Sequence, residues 1–247
     1  MLAAIVIAPA RQALRGPPFA VRLGLGFTLL VASSPAVAEV GATASIFSEA
    51  RLRGYSLSAG HPVGQLDLSY DDPSGFYGSL SGSLVASAEY GVKPLGLQEN
   101  VGYAKRLGAG PTIDVGVINA NYSRYTGYER STGYTEVYAG LVGKVLSSHI
   151  YLSPNYFHSG SWVAYAEVDA GIRPARKIRL TAHVGTLVPL EFGYRSRVQY
   201  DWQVGATREA GPLSLHVALS GGGPGRDFYE DQWHRRRALV VGATYVF

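Results

Sequence analysis

The chain has 247 residues, with 22 Lys plus Arg, 18 Asp plus Glu, 31 Gly, 17 Tyr and no cysteine. The lack of cysteine excludes a disulfide framework and cysteine metal sites. Three arginines and no acids precede Glu39, so the remainder carries 19 basic against 18 acidic residues. It therefore lacks the concentrated basic charge of a nucleic-acid-binding domain, and we expect no nucleic-acid partner. Its many Gly and Tyr residues, with little helical periodicity, favour one all-β domain.

The amino-terminal residues have the order of charges and apolar residues that is typical of a secretory signal peptide. Arg11, Arg15 and Arg22 precede an apolar run over 23–32, and small residues follow over 34–38. This pattern predicts cleavage after Ala38, leaving Glu39 rather than the cysteine of a lipoprotein as the new terminus. A transmembrane anchor is the alternative, but the run is well short of the roughly 20 residues that span hydrocarbon. We expect residues 1–38 to be a signal peptide and 39–247 a barrel domain.

From residue 42 onward, about a dozen segments alternate apolar with polar residues, the pattern of strands with one apolar face. Turn clusters such as Asp71-Asp72-Pro73-Ser74-Gly75 separate some of them, and longer polar loops separate others. An even strand number suits a single-chain barrel with both termini on one side of the membrane. The predicted segments are 42–53, 63–70, 76–86, 97–105, 113–119, 136–145, 150–156, 161–172, 178–184, 198–207, 213–219 and 239–247.

Two segments depart from strict alternation. Glu99 falls in the apolar phase of the fourth segment, which predicts a β-bulge or a shift in pairing there. Pro154 interrupts the seventh segment, where Ile150, Leu152 and Tyr156 form the apolar face, and a closed barrel tolerates proline only near a rim or bulge.

Short turns at 71–75, 173–177 and 208–212 alternate with longer loops at 122–134, 185–197 and 221–237, as in outer-membrane barrels.

The last nine residues are the most informative segment. Leu239, Val241, Ala243, Tyr245 and Phe247 form one face of a strand that runs to the carboxyl end. Soluble chains usually fray into polar termini, whereas a barrel pairs its last strand with its first so that no edge faces lipid. The terminal aromatics Tyr245 and Phe247 resemble the insertion signal that the barrel-assembly machinery recognises.

A soluble β-sandwich also buries one face of each strand and is the competing fold. Here, however, the polar faces are rich in Ser, Gly, Gln and Tyr, as in a hydrated lumen, and aromatic residues lie near the segment ends. We therefore predict an antiparallel up-and-down transmembrane β-barrel of about 12 strands in the outer membrane of a Gram-negative bacterium.

A family resemblance rests on the first part of this barrel. Residues 48–58 read Ser-Glu-Ala-Arg-Leu-Arg-Gly-Tyr-Ser-Leu-Ser, and His61-Pro62, residues 67–70 and Ser-Gly-Phe-Tyr-Gly at 74–78 follow. This stretch resembles the TorF-type porin family, also called Gcw_chp, with weaker similarity to the end of the chain. The sequence departs from the family pattern at Ala50, where an aromatic is usual, and at 80–83, which lacks a tryptophan. The resemblance implies an outer-membrane barrel and says little about the solute.

Charged residues on the predicted inner faces are the candidate functional residues. Glu49, Arg51 and Arg53 lie two apart on the first segment, so they point the same way. They form a charged ladder with possible partners on other strands. One interpretation is that paired charges fill and rigidify a narrow barrel, and the other is an anion-attracting constriction. The predicted partners are Asp67, Glu136, Glu167, Asp169 and Asp201.

Signals for other chemistry are weak. His183, His216, Ser161 and Ser214 are candidates for an embedded hydrolase or acyltransferase, but no Gly-x-Ser-x-Gly elbow and no His-x-x-x-His metal pair occurs in the sequence. We expect no catalytic residues, no metal and no cofactor. The glycine-rich stretch 221–225 lacks the Lys-Ser/Thr of a phosphate-binding loop. Arg235, Arg236 and Arg237 are a candidate patch for lipopolysaccharide phosphates, with a solvated loop end as the alternative.

The expected function is a narrow porin for passive diffusion of small hydrophilic solutes, which acts by size and lumen charge rather than by binding-site chemistry. About 12 strands make a lumen narrower than that of general porins, open only in part or blocked by loops. A structural or adhesive barrel without an open pore is the alternative. The expected partners are outer-membrane lipids, lipopolysaccharide, the barrel-assembly machinery and the solutes.

Overall fold

The computed structural model describes residues 38–125, 132–190, 197–224 and 237–247, and the described residues are almost entirely strands and turns. Within these ranges no helix has the length and apolarity needed to cross a membrane. The strands in them are β1(Glu39–Phe47), β2(Arg51–Leu52), β3(Tyr55–Ser56), β4(Val63–Asp71), β5(Phe76–Ser87), β6(Gly91–Arg106), β7(Thr112–Tyr122), β8(Thr132–Val142), β9(Leu146–Ser153), β10(Val163–Ala175), β11(Ile178–Pro189), β12(Gln199–Ala210), β13(Leu213–Gly223) and β14(Arg237–Val246).

Twelve of these described strands close into a single antiparallel barrel, in which each pairs with its neighbours along the chain. The closing contact joins β1 to β14, with Ala44 opposite Tyr245 and Phe47 opposite Gly242. Closure satisfies the backbone hydrogen bonds of every wall strand without leaving an edge. The predicted twelve-stranded barrel, with its two ends side by side, is confirmed.

The two faces of the wall differ in polarity as the alternation predicts. Apolar side chains point outward from the wall strands, for example Ile46, Val137 and Val204. The inward side chains are mostly polar or tyrosine, such as Gln98, Asp114 and Tyr138. A belt of exposed apolar residues around a polar interior is the arrangement that a barrel in lipid requires.

The ends of the barrel are unequal. Glu39 pairs with Asp71 beside the 72–75 turn, and the carboxyl end lies at the same end, because Val246 pairs with Thr43. Short connections at 107–111, 143–145, 176–177 and 211–212 also lie there, and the longer connections lie at the opposite end. The predicted alternation of short and long connections holds except between β5 and β6, where only residues 88–90 connect the strands at the long-loop end. β11 and β13 also extend further into the predicted loops, to Pro189 and Gly223.

The first predicted strand ends earlier than expected. β1 stops at Phe47, and the chain then turns into the lumen before β4 begins at Val63. Ala50 and Leu52, expected on the lipid face, are only 4% and 3% exposed because they pack inside the barrel. The prediction of one continuous strand over 42–53 was therefore wrong.

The position of Tyr156 also differs from the prediction. It was predicted on the lipid face with Ile150 and Leu152, but β9 ends at Ser153 just before Pro154. Tyr156 then turns inward and is buried. Pro154 lies at the rim, as predicted, where the missing N–H costs no ladder hydrogen bond.

The irregularity in β6 lies away from Glu99. The pairing of β5 with β6 shifts between Ser83 and Leu84, which leaves Leu95 as the extra residue beside Pro94. Proline donates no hydrogen bond, so a bulge is the natural place for it. Glu99 keeps the phase of its strand and points outward, opposite Leu80 on β5 and Asn119 on β7.

Candidate functional site

The lumen contains a segment of the chain that leaves the wall between β1 and β4. We call residues 48–62 the plug segment. Its strands β2 and β3 form a tight hairpin whose turn residues, Arg53 and Gly54, have φ angles of 47° and 82°. Two successive left-handed residues are typical of a two-residue hairpin turn.

Ser58 holds the base of the plug segment together. The Ala50 N–H donates to Ser58 Oγ at 3.0 Å, and the hydroxyl donates to the His61 carbonyl at 2.8 Å. Tyr125, from the loop after β7, donates to the Ser58 carbonyl at 2.6 Å. These contacts fix the plug segment to itself and to a neighbouring loop.

The tip of the plug segment touches the inner wall of the barrel. A Cβ atom at Gly54 would lie 2.7 Å from Gly222 Cα and 2.9 Å from Asp201 Cβ. Only glycine fits a contact this close between two backbones. The tip therefore packs directly against β12 and β13.

Arg53 spans the remaining distance to β8. Its Nη2 donates to Glu136 at 2.8 and 3.0 Å, and the two side chains are 4% and 3% exposed. The guanidinium carbon lies 4.0 Å from the ring centre of Tyr165 and 4.9 Å from that of Tyr156. Tyr151 and Tyr134 complete the aromatic cage at 5.5 and 5.8 Å.

This environment keeps the Arg53 side chain charged. Burial opposes the charge, but Glu136 and the surrounding phenol groups outweigh it, so the pKa of Arg53 is raised above its ordinary value. Contact with ring faces stabilises a cation most where water is excluded. Arg53 is thus a permanent positive charge held inside the lumen.

Arg51 has a separate partner within the plug segment. Its Nη1 donates to Glu49 Oε1 at 3.0 Å, and its Nη2 donates to the Gly54 carbonyl. Both predicted arginines are therefore paired with carboxylates. This arrangement favours the interpretation that the charges fill and rigidify the lumen over that of an anion-attracting constriction.

Below the tip, carboxylates and imidazoles alternate around the wall. His183 lies between two carboxylates, with Nδ1 2.8 Å from Asp169 Oδ1 and Nε2 2.8 Å from Asp201 Oδ1. His149 Nε2 lies 3.3 Å from Asp114 Oδ2, and its Nδ1 lies 3.7 Å from Glu167 Oε1. We call these six residues, on β7 and β9 to β12, the acidic band.

Asp67 lies apart from the acidic band, on β4. Its carboxylate accepts hydrogen bonds from Thr43 at 3.2 Å, from Gln65 at 2.6 Å and from Ser81. The structure thus places every residue of the predicted ladder inside the barrel, but in three groups rather than one: the plug segment with Glu136, the acidic band, and Asp67.

One space between the plug segment and the wall is small. A cavity of about 60 Å3 lies beside the tip. It borders the carboxylates of the acidic band on one side and Arg53 on the other. Its lining includes Arg51, Arg53, Glu136, Glu167, Asp169 and Asp201.

The residues considered for an embedded enzyme have other partners. Both nitrogens of His183 face carboxylates, and those of His216 lie 3.1 and 3.0 Å from the hydroxyls of Thr207 and Thr244. Ser214 lies across from Thr244 on β14, and Ser161 lies in the loop before β10. Neither histidine is arranged to activate a serine.

Sequence reasoning missed His149, Asp114 and the tyrosine cage. His149 was not among the predicted lumen residues, yet it lies inside the barrel because its strand alternates through Tyr151 and Ser153, which are also buried. That alternation was the available signal. Tyrosine was expected on the polar faces of the strands, but the gathering of Tyr134, Tyr151, Tyr156 and Tyr165 around Arg53 was not.

The other predicted sites lie at the ends of the barrel. The rings of Tyr245 and Phe247 are exposed and 5.2 Å apart, and the Phe247 N–H donates to the Ala42 carbonyl on β1 at 3.1 Å. Arg237 pairs with Gly221 at the start of β14. Arg235 and Arg236 lie outside the described residues.

Comparison with known proteins agrees with this architecture. The family model described as "Bacterial protein of unknown function (Gcw_chp)" matches residues 31–238. None of the curated proteins matches the sequence.

Solved structures with a similar fold include porins. A NanC porin is 9% identical, with a TM-score of 0.55 and coverage of 84% of this chain and 99% of that one. A KdgM porin in complex with disordered oligogalacturonate is 12% identical, with a TM-score of 0.51 and coverage of 85% and 99%. At these identities, the likeness shows the fold alone.

Proposed function

We propose a transport function for this chain, which belongs to the bacterial Gcw_chp family: it is a narrow outer-membrane porin for passive diffusion of small hydrophilic solutes. The observation that carries the proposal is a closed wall with an exposed apolar belt outside and polar side chains inside. Such a wall is stable in lipid and offers polar groups to a solute in its lumen. We also propose that it is a TorF-type porin, because the stretch 48–78 resembles that family.

The lumen charges indicate which solutes would be favoured. Arg51 and Arg53 are each paired with a glutamate, whereas the acidic band holds four carboxylates against two imidazoles. Fixed negative charge in a pore attracts cations and repels anions. We therefore propose neutral or cationic solutes, and we do not extend the anionic oligogalacturonate of KdgM to this chain.

The plug segment sets the size limit. Because its tip packs against β12 and β13 and only a cavity of about 60 Å3 lies beside it, we propose that a solute passes only when the tip moves. Breaking the Arg53–Glu136 contact is the step that frees the tip. The pore would thus conduct in rare, small openings.

Export and assembly complete the proposal. Residues 1–38 are removed as a signal peptide, and the barrel-assembly machinery reads the terminal strand with Tyr245 and Phe247. Lipopolysaccharide surrounds the end that carries the long loops, where Arg235, Arg236 and Arg237 would meet its phosphates.

A structural barrel without an open pore is the second candidate, because the plug segment lies inside the lumen and its tip packs against β12 and β13. Single-channel recording of the refolded barrel in planar bilayers separates the two. We expect rare, small cation-selective openings in the native barrel, and more frequent or larger ones in R53Q/E136Q, which neutralises both partners.

The matched control is R173Q/E209Q, which neutralises an exposed pair at the short-turn end and leaves the plug segment intact. It should conduct like the native barrel. If no variant conducts although all are folded, the barrel is structural rather than a pore.

A further inference from the structure

We propose that the lumen holds a transition-metal site of the zinc class, formed by His149, Glu167 and Asp169. One ligand atom from each of these side chains lies within 4.8 Å of the other two. The ligand atoms of a tetrahedral zinc ion are roughly 3.4 Å apart, given bonds of about 2.0–2.2 Å. Small side-chain rotations would therefore bring all three onto one ion.

The orientation of His149 supports a metal ligand. Its Nε2 lies 3.3 Å from Asp114 Oδ2, and its ring packs between Tyr138 and Tyr151. A carboxylate on one imidazole nitrogen places the proton there and leaves the lone pair on the other. This carboxylate–histidine arrangement commonly supports the ligands of zinc sites.

The second nitrogen of His149 lacks a hydrogen bond. Nδ1 is buried with no hydrogen-bond partner, in a side chain that is only 6% exposed, and it points toward Glu167 Oε1 at 3.7 Å. A lone pair facing a carboxylate is repulsive unless a cation or a proton lies between them. Buried polar atoms normally have partners, so this atom points to a missing positive ligand.

The surroundings favour a metal ion over an additional proton. Asp114 lies on β7, Glu167 and Asp169 on β10, and Asp201 on β12. The bases beside them are already engaged, because Arg53 pairs with Glu136 and His183 lies between Asp169 and Asp201. Glu167 and Asp169 also line the cavity beside the tip. Nitrogen plus carboxylate ligands suit Zn²⁺ and its neighbours better than Ca²⁺ or Mg²⁺.

Sequence patterns do not reveal this site. The ligands come from β9 and from alternate positions of β10, so no His-x-x-x-His spacing marks them. Because the site lies in the wall below the plug segment, metal binding requires no conduction, and its failure would leave the porin proposal in place.

Zinc binding to the refolded, untagged barrel tests the site. The protein is stripped with EDTA, returned to metal-free buffer in detergent, and titrated with ZnCl2 in a calorimeter. We expect one Zn²⁺ per chain, with binding at least about tenfold weaker in H149Q and in D169N. We also expect about 10–100-fold weaker binding in D114N, which removes only the supporting carboxylate.

H216Q is the matched control, because His216 lies in the same lumen but contacts threonine hydroxyls. It should bind zinc like the native barrel. Heat-modifiable gel mobility and circular dichroism verify that each variant is folded. Absence of binding to the folded native barrel overturns the proposal, as does equal binding by folded H149Q and native protein. The latter result would place the ion elsewhere.

Discussion

Arg53 and Glu136 join the tip of the plug segment to the opposite wall of the barrel, 83 residues apart in sequence and 2.8 Å apart in space. Both side chains are almost fully buried. Loss of one partner from such a pair leaves an uncompensated charge away from water, and the cost greatly exceeds that of losing an exposed pair. Much of the stability of the plugged state therefore depends on this contact.

Replacing Glu136 alone by glutamine should destabilise the barrel by about 3 kcal/mol. The substitution keeps the side-chain size but leaves the Arg53 charge without its carboxylate. Glu209→Gln is the control, because Glu209 pairs with Arg173 at 3.1 Å where the side chains are 31% and 45% exposed. It should cost less than about 1 kcal/mol. Urea unfolding in detergent micelles measures both, and equal losses would contradict the buried-pair account.

The ring of Tyr165 and its hydroxyl should make separate contributions to the free energy of unfolding. Tyr165→Phe removes the hydrogen bond to Asp201, at 3.1 Å, and should cost about 1 kcal/mol. Tyr165→Leu also removes the ring face that lies 4.0 Å from Arg53, and should cost about 2 kcal/mol more. The same pair of substitutions at exposed Tyr200 provides the control, since its ring points outward. For each position, the difference in unfolding free energy between the Phe and the Leu variant is compared. If this difference is no larger at position 165 than at position 200, the aromatic cage makes no contribution to stability.

Gly54 and Gly60 allow packing at the tip to be separated from backbone strain. Their φ angles are nearly equal, at 82° and 81°. A Cβ at Gly54 would overlap Gly222 Cα, whereas one at Gly60 has nothing within 4 Å. Gly60→Ala should therefore cost about 1–2 kcal/mol from strain, and Gly54→Ala about 1–3 kcal/mol more from overlap. Similar unfolding midpoints would show that the tip does not touch the wall in solution.

The fold was predictable because lipid imposes a strict rule on the wall. Every second residue from Leu213 to Leu219 must be apolar, and the pleat of the strand makes that period visible in the sequence. The same rule failed at Ala50 and Leu52. They continue the alternation of β1, yet they pack inside the lumen, and the period alone cannot distinguish a lipid-facing residue from one in a packed interior.

The candidate site was predictable in composition but not in arrangement. The alternation of the strands identified which charged residues face inward. The pairing of Arg53 with Glu136 could not be predicted, because it depends on the path that the plug segment takes through the lumen. Arg53-Gly54 is a weaker hairpin signal than Asn-Gly or Asp-Gly, so the turn that starts this path was read as part of a strand. The supporting role of Asp114 required the register between strands, which the sequence does not contain.

Glu99 is the clearest conflict between the sequence and a lipid environment. It lies near the middle of β6 with its side chain outward, across from Leu80 on β5. A carboxylate on the lipid face destabilises a barrel most near the middle of the membrane. Glu99→Leu should therefore stabilise the barrel in phospholipid vesicles by about 1–2 kcal/mol.

Lys105→Leu is the control for this substitution, because it removes an outward charge at a different depth in the membrane. It lies on the same outward phase of β6, one residue from its end at Arg106, where the strand reaches the short-turn end. Charges at that depth cost about 0–1 kcal/mol, so Lys105→Leu should change stability little. Urea unfolding in vesicles compares the two variants with the native barrel. A loss of stability in Glu99→Leu would mean that this carboxylate has a polar partner on the outer face rather than lipid.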